Sequence, residues 1–305
     1  MTTPYGAELT DVTVTYGRGN RALDEASFAI RPGTITGLLG RNGAGKSTAL
    51  ALLAALRRPT SGSVRVDGAD PFENAVVMGG VQLVREAGDV IGDSSIDESL
   101  GYYSELRPHW DSEYAFALLD QFGIDPSATP NKLSRGKKSA LGCTIGLASR
   151  APLTIFDESY LGMDAPSRYA FYDALLEDYT EHPRTIVLSS HLIDEVERLF
   201  EDVVVLHHGR AVVAETADAL RGRAVSLVGP TTAVSKLADG RHALATRSLG
   251  GTTQLTLEGS LEPSEIALAR DAGVEIARVS IQDLFIHLTQ ETDPVSADPT
   301  RKAAR

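Results

Sequence analysis

The run Gly40-Arg41-Asn42-Gly43-Ala44-Gly45-Lys46-Ser47-Thr48 follows the spacing G-x-x-x-x-G-K-[ST]. Residues of these types at this spacing grip a polyphosphate. The glycines let successive backbone N–H groups turn inward around phosphate oxygens, and a following helix adds the positive end of its dipole. Lys46 has the reach to meet the β- and γ-phosphates, and the Ser47 hydroxyl is a ligand for Mg²⁺. Chemistry on a phosphate also calls for carboxylates. The apolar run Leu153-Thr154-Ile155-Phe156 ends in Asp157 and Glu158. A carboxylate at the end of a strand beside a phosphate loop holds Mg²⁺, usually through water. A second one next to it orients or deprotonates an attacking water.

These groups need a scaffold. Ile35 to Leu39 reads as a buried strand leading into the loop, and Ala49 to Arg57 as a helix leaving it, ending on a basic pair before Pro59. Glu8 to Ile30 reads as strands broken at Tyr16-Gly17-Arg18-Gly19-Asn20, and Ser61 to Gly68 as a hairpin. From about Gly88 to Arg150 the pattern is helical, with aromatic and Leu positions at helical spacing in Tyr114 to Phe122. Strands return at Leu153 and alternate with helices, one with Pro166 near its start and Pro183 beyond its end. Such alternation predicts a parallel sheet buried on both faces. The composition shifts after Arg223. Short strands (Ala224 to Val228, Gln254 to Leu257, Val274 to Val279) and helices (Pro263 to Ala272, Ile281 to Thr289) predict a small separate domain over 224–290. The stretch 291–305, rich in Pro, Asp, Ser, Thr and charge, reads as a disordered tail.

The chain has 305 residues, enough for one large domain and a small one, with 42% apolar and 23% charged residues. Its net charge of −12 argues against nucleic acid as the main partner, because phosphate contacts need a basic face. Cys143, a single cysteine inside an apolar run, excludes an intrachain disulfide framework and reads as a buried thiol suited to a reducing compartment. No stretch approaches the ~20 apolar residues of a membrane span. Met1 to Gly6 shows neither a basic region nor an apolar segment, so no secretory signal is expected.

Between the two motifs, Leu133-Ser134-Arg135-Gly136-Lys137-Lys138-Ser139 opens a helix just ahead of the acidic strand. Here the chain resembles the ATP-binding subunits of ABC transporters, whose signature reads Leu-Ser-Gly-Gly-Gln. Other family markers follow in the expected order. Tyr16 stands where the family stacks an aromatic ring on adenine. Gln82, in Gly80-Val81-Gln82-Leu83, matches the glutamine that senses Mg²⁺ and the attacking water. Asp157 and Glu158 match the Walker B aspartate and the catalytic glutamate, Asp164 the D-loop, and His191 the switch histidine. The resemblance covers about residues 8–220. It implies an α/β fold: a P-loop NTPase sheet with an antiparallel β subdomain and a helical signature subdomain, here over about 88–150 of an ATPase domain spanning 1–223, followed by a small α+β C-terminal domain. It assigns catalysis to Glu158, His191 and Gln82. Nucleotide binding falls to Tyr16, Gly40, Asn42, Gly43, Ala44, Gly45, Lys46, Ser47, Thr48, Ser134 and Gly136, and metal binding to Ser47, Gln82 and Asp157.

The resemblance also implies a mechanism. Two ATPase domains dimerise head to tail, and ATP lies between the loop of one and the signature of the other. Ser134 and the Gly136 N–H, at a helix N-terminus, would stabilise the γ-phosphate across that interface. The implied partners are a second ATPase subunit, identical or related, and a membrane permease on another chain, which places the protein in the cytoplasm at the inner face of the membrane. Cofactors would be ATP and Mg²⁺.

Several positions depart from the family. Arg135 and Lys137 replace Gly and Gln, and two positive charges at a helix N-terminus oppose its dipole. Either a partner's nucleotide offsets them or both side chains point into solvent. Ser159 and Tyr160 stand where Pro and Thr are usual, at the entry to the D-loop. The run Val279 to Thr289 resembles the ending of drug- and antibiotic-type ATP-binding subunits, and Arg107 to Tyr114 with the altered signature resembles a subgroup tied to peptide-antibiotic or envelope-stress export in Gram-positive bacteria. The alternative is a soluble ABC-type ATPase of DNA repair, chromosome organisation or translation. Against it stand the lack of a long coiled-coil insert, the single phosphate loop and the acidic balance. A regulator with dead ATPase chemistry is a third reading, opposed by the presence of Glu158 and His191.

Overall fold

The computed structural model describes residues 3–17, 19–85, 90 and 92–291, so the expected tail beyond Glu291 lies outside the described residues. The chain divides into two compact units, 1–192 with 198–214, and 193–197 with 215–305.

The first unit begins with β1 (Ala7–Tyr16) and β2 (Asn20–Ile30). β1 is the centre of a three-stranded antiparallel sheet, with β2 on one side and β4 (Ser61–Val66) on the other. The hairpin expected over Ser61 to Gly68 is therefore not a hairpin. Asp67 and Gly68 turn the chain at φ 50° and 75°, but the return yields only the bridge between Val66 and Ala69. The partner of β4 is β1, in register from Ala7 opposite Val66, because that pairing buries Val64 and Val66.

The second sheet has six strands, in the order β5 (Val81–Arg85), β6 (Leu153–Asp157), β7 (Thr185–Ser190), β3 (Ile35–Leu39), β8 (Asp202–His207), β9 (Arg210–Thr216). The neighbours from β5 to β8 run parallel. Every residue of β3, β6 and β7 is buried, which explains why β3 and the Leu153 to Phe156 part of β6 read as mainly apolar runs without alternation. Between strands lie α1 (Lys46–Leu53), α2 (Ala75–Gly79), α3 (Ile96–Leu106), α4 (Ser112–Gln121), α5 (Arg135–Ala148) and α6 (Ala165–Glu181). α6 has Pro166 in its first turn and Asp164 as its N-cap, accepting from Ser167 N at 3.0 Å.

The helix after the loop differs from expectation at both ends. It begins at Lys46 and stops at Leu53, short of the basic pair. Ala55 adopts φ 53°, Leu56 N donates to Ala51 O at 2.9 Å and Ala55 N to Leu52 O at 3.1 Å. This is a Schellman closure, which usually takes Gly at the left-handed position. An Ala there left no stop signal to read.

The second unit holds α7 (Ile193–Val196), α8 (Ala217–Arg221), α9 (Thr231–Leu237), α10 (Pro263–Asp271), α11 (Ile281–Glu291) and a four-stranded antiparallel sheet. The sheet order is β11 (Ala243–Leu249), β12 (Thr252–Glu258), β10 (Ala224–Pro230), β13 (Glu275–Ala277). Its core gathers Val225, Leu227, Val234, Leu255, Leu257, Ala269 and Val274. The unit starts before the composition shift after Arg223. Arg221 donates to Glu197 O at 2.9 Å and Ile281 N to the Glu197 carboxylate at 2.7 Å, tying α8 and 193–197 to α11. α9 and β11 were not foreseen; β11 is an edge strand with nearly all side chains exposed, so it carries no alternation.

Candidate active site

The loop between β3 and α1 is shaped by close backbone approaches. A Cβ on Gly40 would lie 2.7 Å from Leu206 O, and one on Gly45 would lie 2.5 Å from Ala22 O. Gly43 and Gly45 sit at φ 81° and 106°, conformations that carry little cost only for glycine. Gly45 is the N-cap of α1 and has no side chain to cap it, so the first N–H groups of the helix are left for an anion. Gly209 N donates to Ala44 O at 3.1 Å, pinning the loop to the turn after β8.

Lys46 is 5% exposed, and its ammonium donates to Gly40 O at 2.7 Å. Its Nζ also lies 3.1 Å from Glu158 Oε1. The same oxygen lies 3.1 Å from His191 Nδ1. Glu158 follows β6 at φ 52°, a strained conformation for a residue with a side chain, and Leu161 N closes the turn onto its carbonyl at 3.2 Å. Burial of the Glu158 carboxyl works against its charge, but the His191 hydrogen bond and the Lys46 ammonium outweigh that and hold the group below the usual carboxylate range. Lys46 and Glu158, which are far apart in sequence, thus form one ion pair at the mouth of the loop.

Asp157, the last residue of β6, is buried and accepts from Ser189 Oγ at 2.6 Å, across the β6–β7 pair. Gln82 projects from β5, 5% exposed. Its amide nitrogen donates to Leu83 O at 3.2 Å, and its Oε1 is buried without a partner. A cavity of about 420 Å³ joins the loop to Glu158, lined by Tyr16, Asn20, Arg21, Ala22, Asn42, Gly43, Gly45, Lys46, Ser47, Thr48 and Glu158, whereas Gln82, which stands opposite Thr154 while Asp157 stands opposite Arg85, does not line it. The Tyr16 hydroxyl lies 3.4 Å from Thr48 Oγ1. Asn20, Arg21 and Ala22 were not anticipated. They stand at the start of β2, where only their position after Tyr16 could have pointed to them.

The signature residues stand apart from this cavity. Ser134 is the N-cap of α5 and accepts from Lys137 N at 3.3 Å. A Cβ on Gly136 would come 3.2 Å from Gly162 O, so glycine here permits close approach to the turn before α6. Lys137 is exposed, but its ammonium is engaged within the chain, donating to Gly123 O at 2.6 Å just past the C-terminal end of α4. There the positive charge complements the helix dipole instead of opposing one. Tyr160 is fully buried, its hydroxyl donating to Ser189 O at 3.0 Å, which ties the turn after Glu158 to the strand that carries His191. Cys143 is buried beside Ser159, and burial pushes its thiol up to about 12.

Residues 23–160 match the family model described as ABC transporter. The chain is 27% identical over 310 residues to the Nod factor export ATP-binding protein I of Rhizobium etli, covering 92% of each chain. It is 28% identical over 181 residues to the ABC transporter ATP-binding protein YtrB of Bacillus subtilis, covering 59% of this chain and only 62% of that protein's length. A solved ATP-binding subunit of an ABC transporter superposes with a TM-score of 0.64 at 25% identity, covering 70% of this chain and 91% of that one.

Proposed function

The chain carries an ATP-binding domain of the ABC transporter family, and from that premise we propose that it hydrolyses ATP in a head-to-tail pair of such domains to drive export through a separate membrane permease. The observation that carries the chemistry is the Glu158 carboxylate, bracketed by Lys46 and His191 at 3.1 Å each and facing the cavity of the phosphate loop. The loop N–H groups and Lys46 take the triphosphate, and Tyr16 takes the base. A γ-phosphate oxygen that recruits the Lys46 ammonium draws it from Glu158. The carboxylate, ionised and still held by His191, then accepts a proton from the attacking water. Ser134 and Gly136 serve the γ-phosphate of a partner subunit, identical or related.

Mg²⁺ fits this site: the Asp157 carboxylate at the end of β6 and the Ser47 hydroxyl beside the loop are hard oxygen donors that would hold it. When bound, the ion neutralises charge on the phosphate oxygens.

Among the described residues no helix is long and apolar enough to cross a membrane, consistent with a permease on another chain and a place at the inner membrane face. The relative named for Nod factor export, similar along nearly its whole length, supports the export direction. The C-terminal run Val279 to Thr289 supports drug, peptide-antibiotic or envelope-derived cargo. The test is Glu158→Gln, expected to bind ATP, to lose turnover by at least about a hundredfold, and to accumulate as a dimer in light scattering. Near-normal turnover in that variant would defeat the assignment.

A further inference from the structure

We propose that Arg57 is a positioning residue for the nucleotide base, acting through Tyr16; this rests on the placement of the base against Tyr16 given above. The Arg57 guanidinium carbon lies 3.8 Å from the centroid of the Tyr16 ring, a stacked cation–π contact. Tyr16 lines the nucleotide cavity, whereas Arg57 lines a separate cleft of about 340 Å³ with Arg58, Pro59, Arg65 and Phe72. Because Arg57 does not line the nucleotide cavity that Tyr16 lines, we place its guanidinium behind the ring, which leaves the cavity side for a base. Its neighbour Arg58 is engaged elsewhere, 4.0 Å over the Phe72 ring and 3.4 Å from Glu73. Among the described residues no carboxylate pairs with Arg57, so the ring is where its charge is spent.

The backbone holds the two side chains together. Thr15 N donates to Thr60 Oγ1 at 3.0 Å, and Thr60 N donates to Thr13 O at 2.8 Å, strapping the segment after α1 along the end of β1. The Tyr16 hydroxyl is tethered at Thr48. A tyrosine that is 38% exposed would otherwise spread over several rotamers and lose that freedom only on binding. With Arg57 on one face and Thr48 at the hydroxyl, the plane of the ring is set before the base arrives, which removes an ordering cost from binding.

The experiment uses the full-length chain with two ligands: Mg·ATP, and inorganic tripolyphosphate measured by competition. Arg57→Ala is expected to weaken ATP about three- to tenfold, the scale of a cation–π pair at a partly exposed ring, and to leave tripolyphosphate affinity unchanged. KM for ATP rises accordingly, while kcat at saturation stays within about twofold. In a Tyr16→Ala background the same substitution has no further effect. Unchanged ATP affinity in Arg57→Ala, or an equal loss for both ligands, would overturn the proposal. A wild-type chain that bound neither ligand would instead overturn the ATP-binding reading beneath it.

Discussion

Replacing His191 by Ala tests the chemistry most directly. The His191 Nδ1–Glu158 Oε1 contact is 3.1 Å, between side chains 37% and 19% exposed. A hydrogen bond to a charged group is worth about 1.5–3 kcal/mol when sheltered, and solvent at this exposure reduces it to about 1 kcal/mol. The kinetic effect is larger, because the carboxylate loses its orientation toward water and general-base catalysis contributes about 10²–10⁴-fold. We expect kcat to fall about a hundredfold. ATP affinity should hold, since His191 does not line the cavity of the loop. The pH profile carries an independent sign. Glu158 is held low against burial by His191 first and then by Lys46. A depressed carboxyl serves as base above its pKa and fails as pH falls through it. Without His191, burial is less opposed, so the pKa rises and the acid limb of kcat/KM, which reports the free protein, moves to higher pH. An acid limb that stays in place, or a loss of ATP affinity matching the loss of turnover, would refute the reasoning.

Other outcomes follow from neighbouring contacts. Asp178→Asn leaves Arg184, 1% exposed and 2.6 Å from that carboxylate, as a buried unpaired cation; urea unfolding should show a loss of about 3–5 kcal/mol, largely restored by Asp178→Leu with Arg184→Met. Lys137→Met removes the bond to Gly123 O and should lower stability by about 0.5–1 kcal/mol without altering ATP affinity or turnover. A drop in ATP affinity would instead restore Lys137 as a contact to a partner's nucleotide.

Much of the fold was legible because its signals are local. The glycine spacing of the loop, the apolar runs of β3 and β6 and the proline-bounded α6 are short-range patterns with short-range causes. Errors arose where partners were distant. Ser61 to Gly68 reads as a hairpin by its turn residues, but β4 finds β1 across the sequence and buries two valines there. α1 ends by a Schellman closure on an alanine, for which composition offers no cue. β11 is an exposed edge, so it shows no face to read.

The candidate site divides along the same line. The residue types, Lys46 and Ser47 after the glycines and Asp157 with Glu158 after an apolar run, are determined by sequence alone, because backbone geometry and charge over a few residues suffice to mark them. Only the tertiary structure sets Lys46 and His191 on one oxygen of Glu158, hangs Asp157 from Ser189, turns Lys137 onto the end of α4 and lays Arg57 over the Tyr16 ring. Each of these pairs joins segments whose approach is fixed by how strands order in a sheet or how helix ends pack, and that order is a property of the whole chain's burial rather than of any window along it.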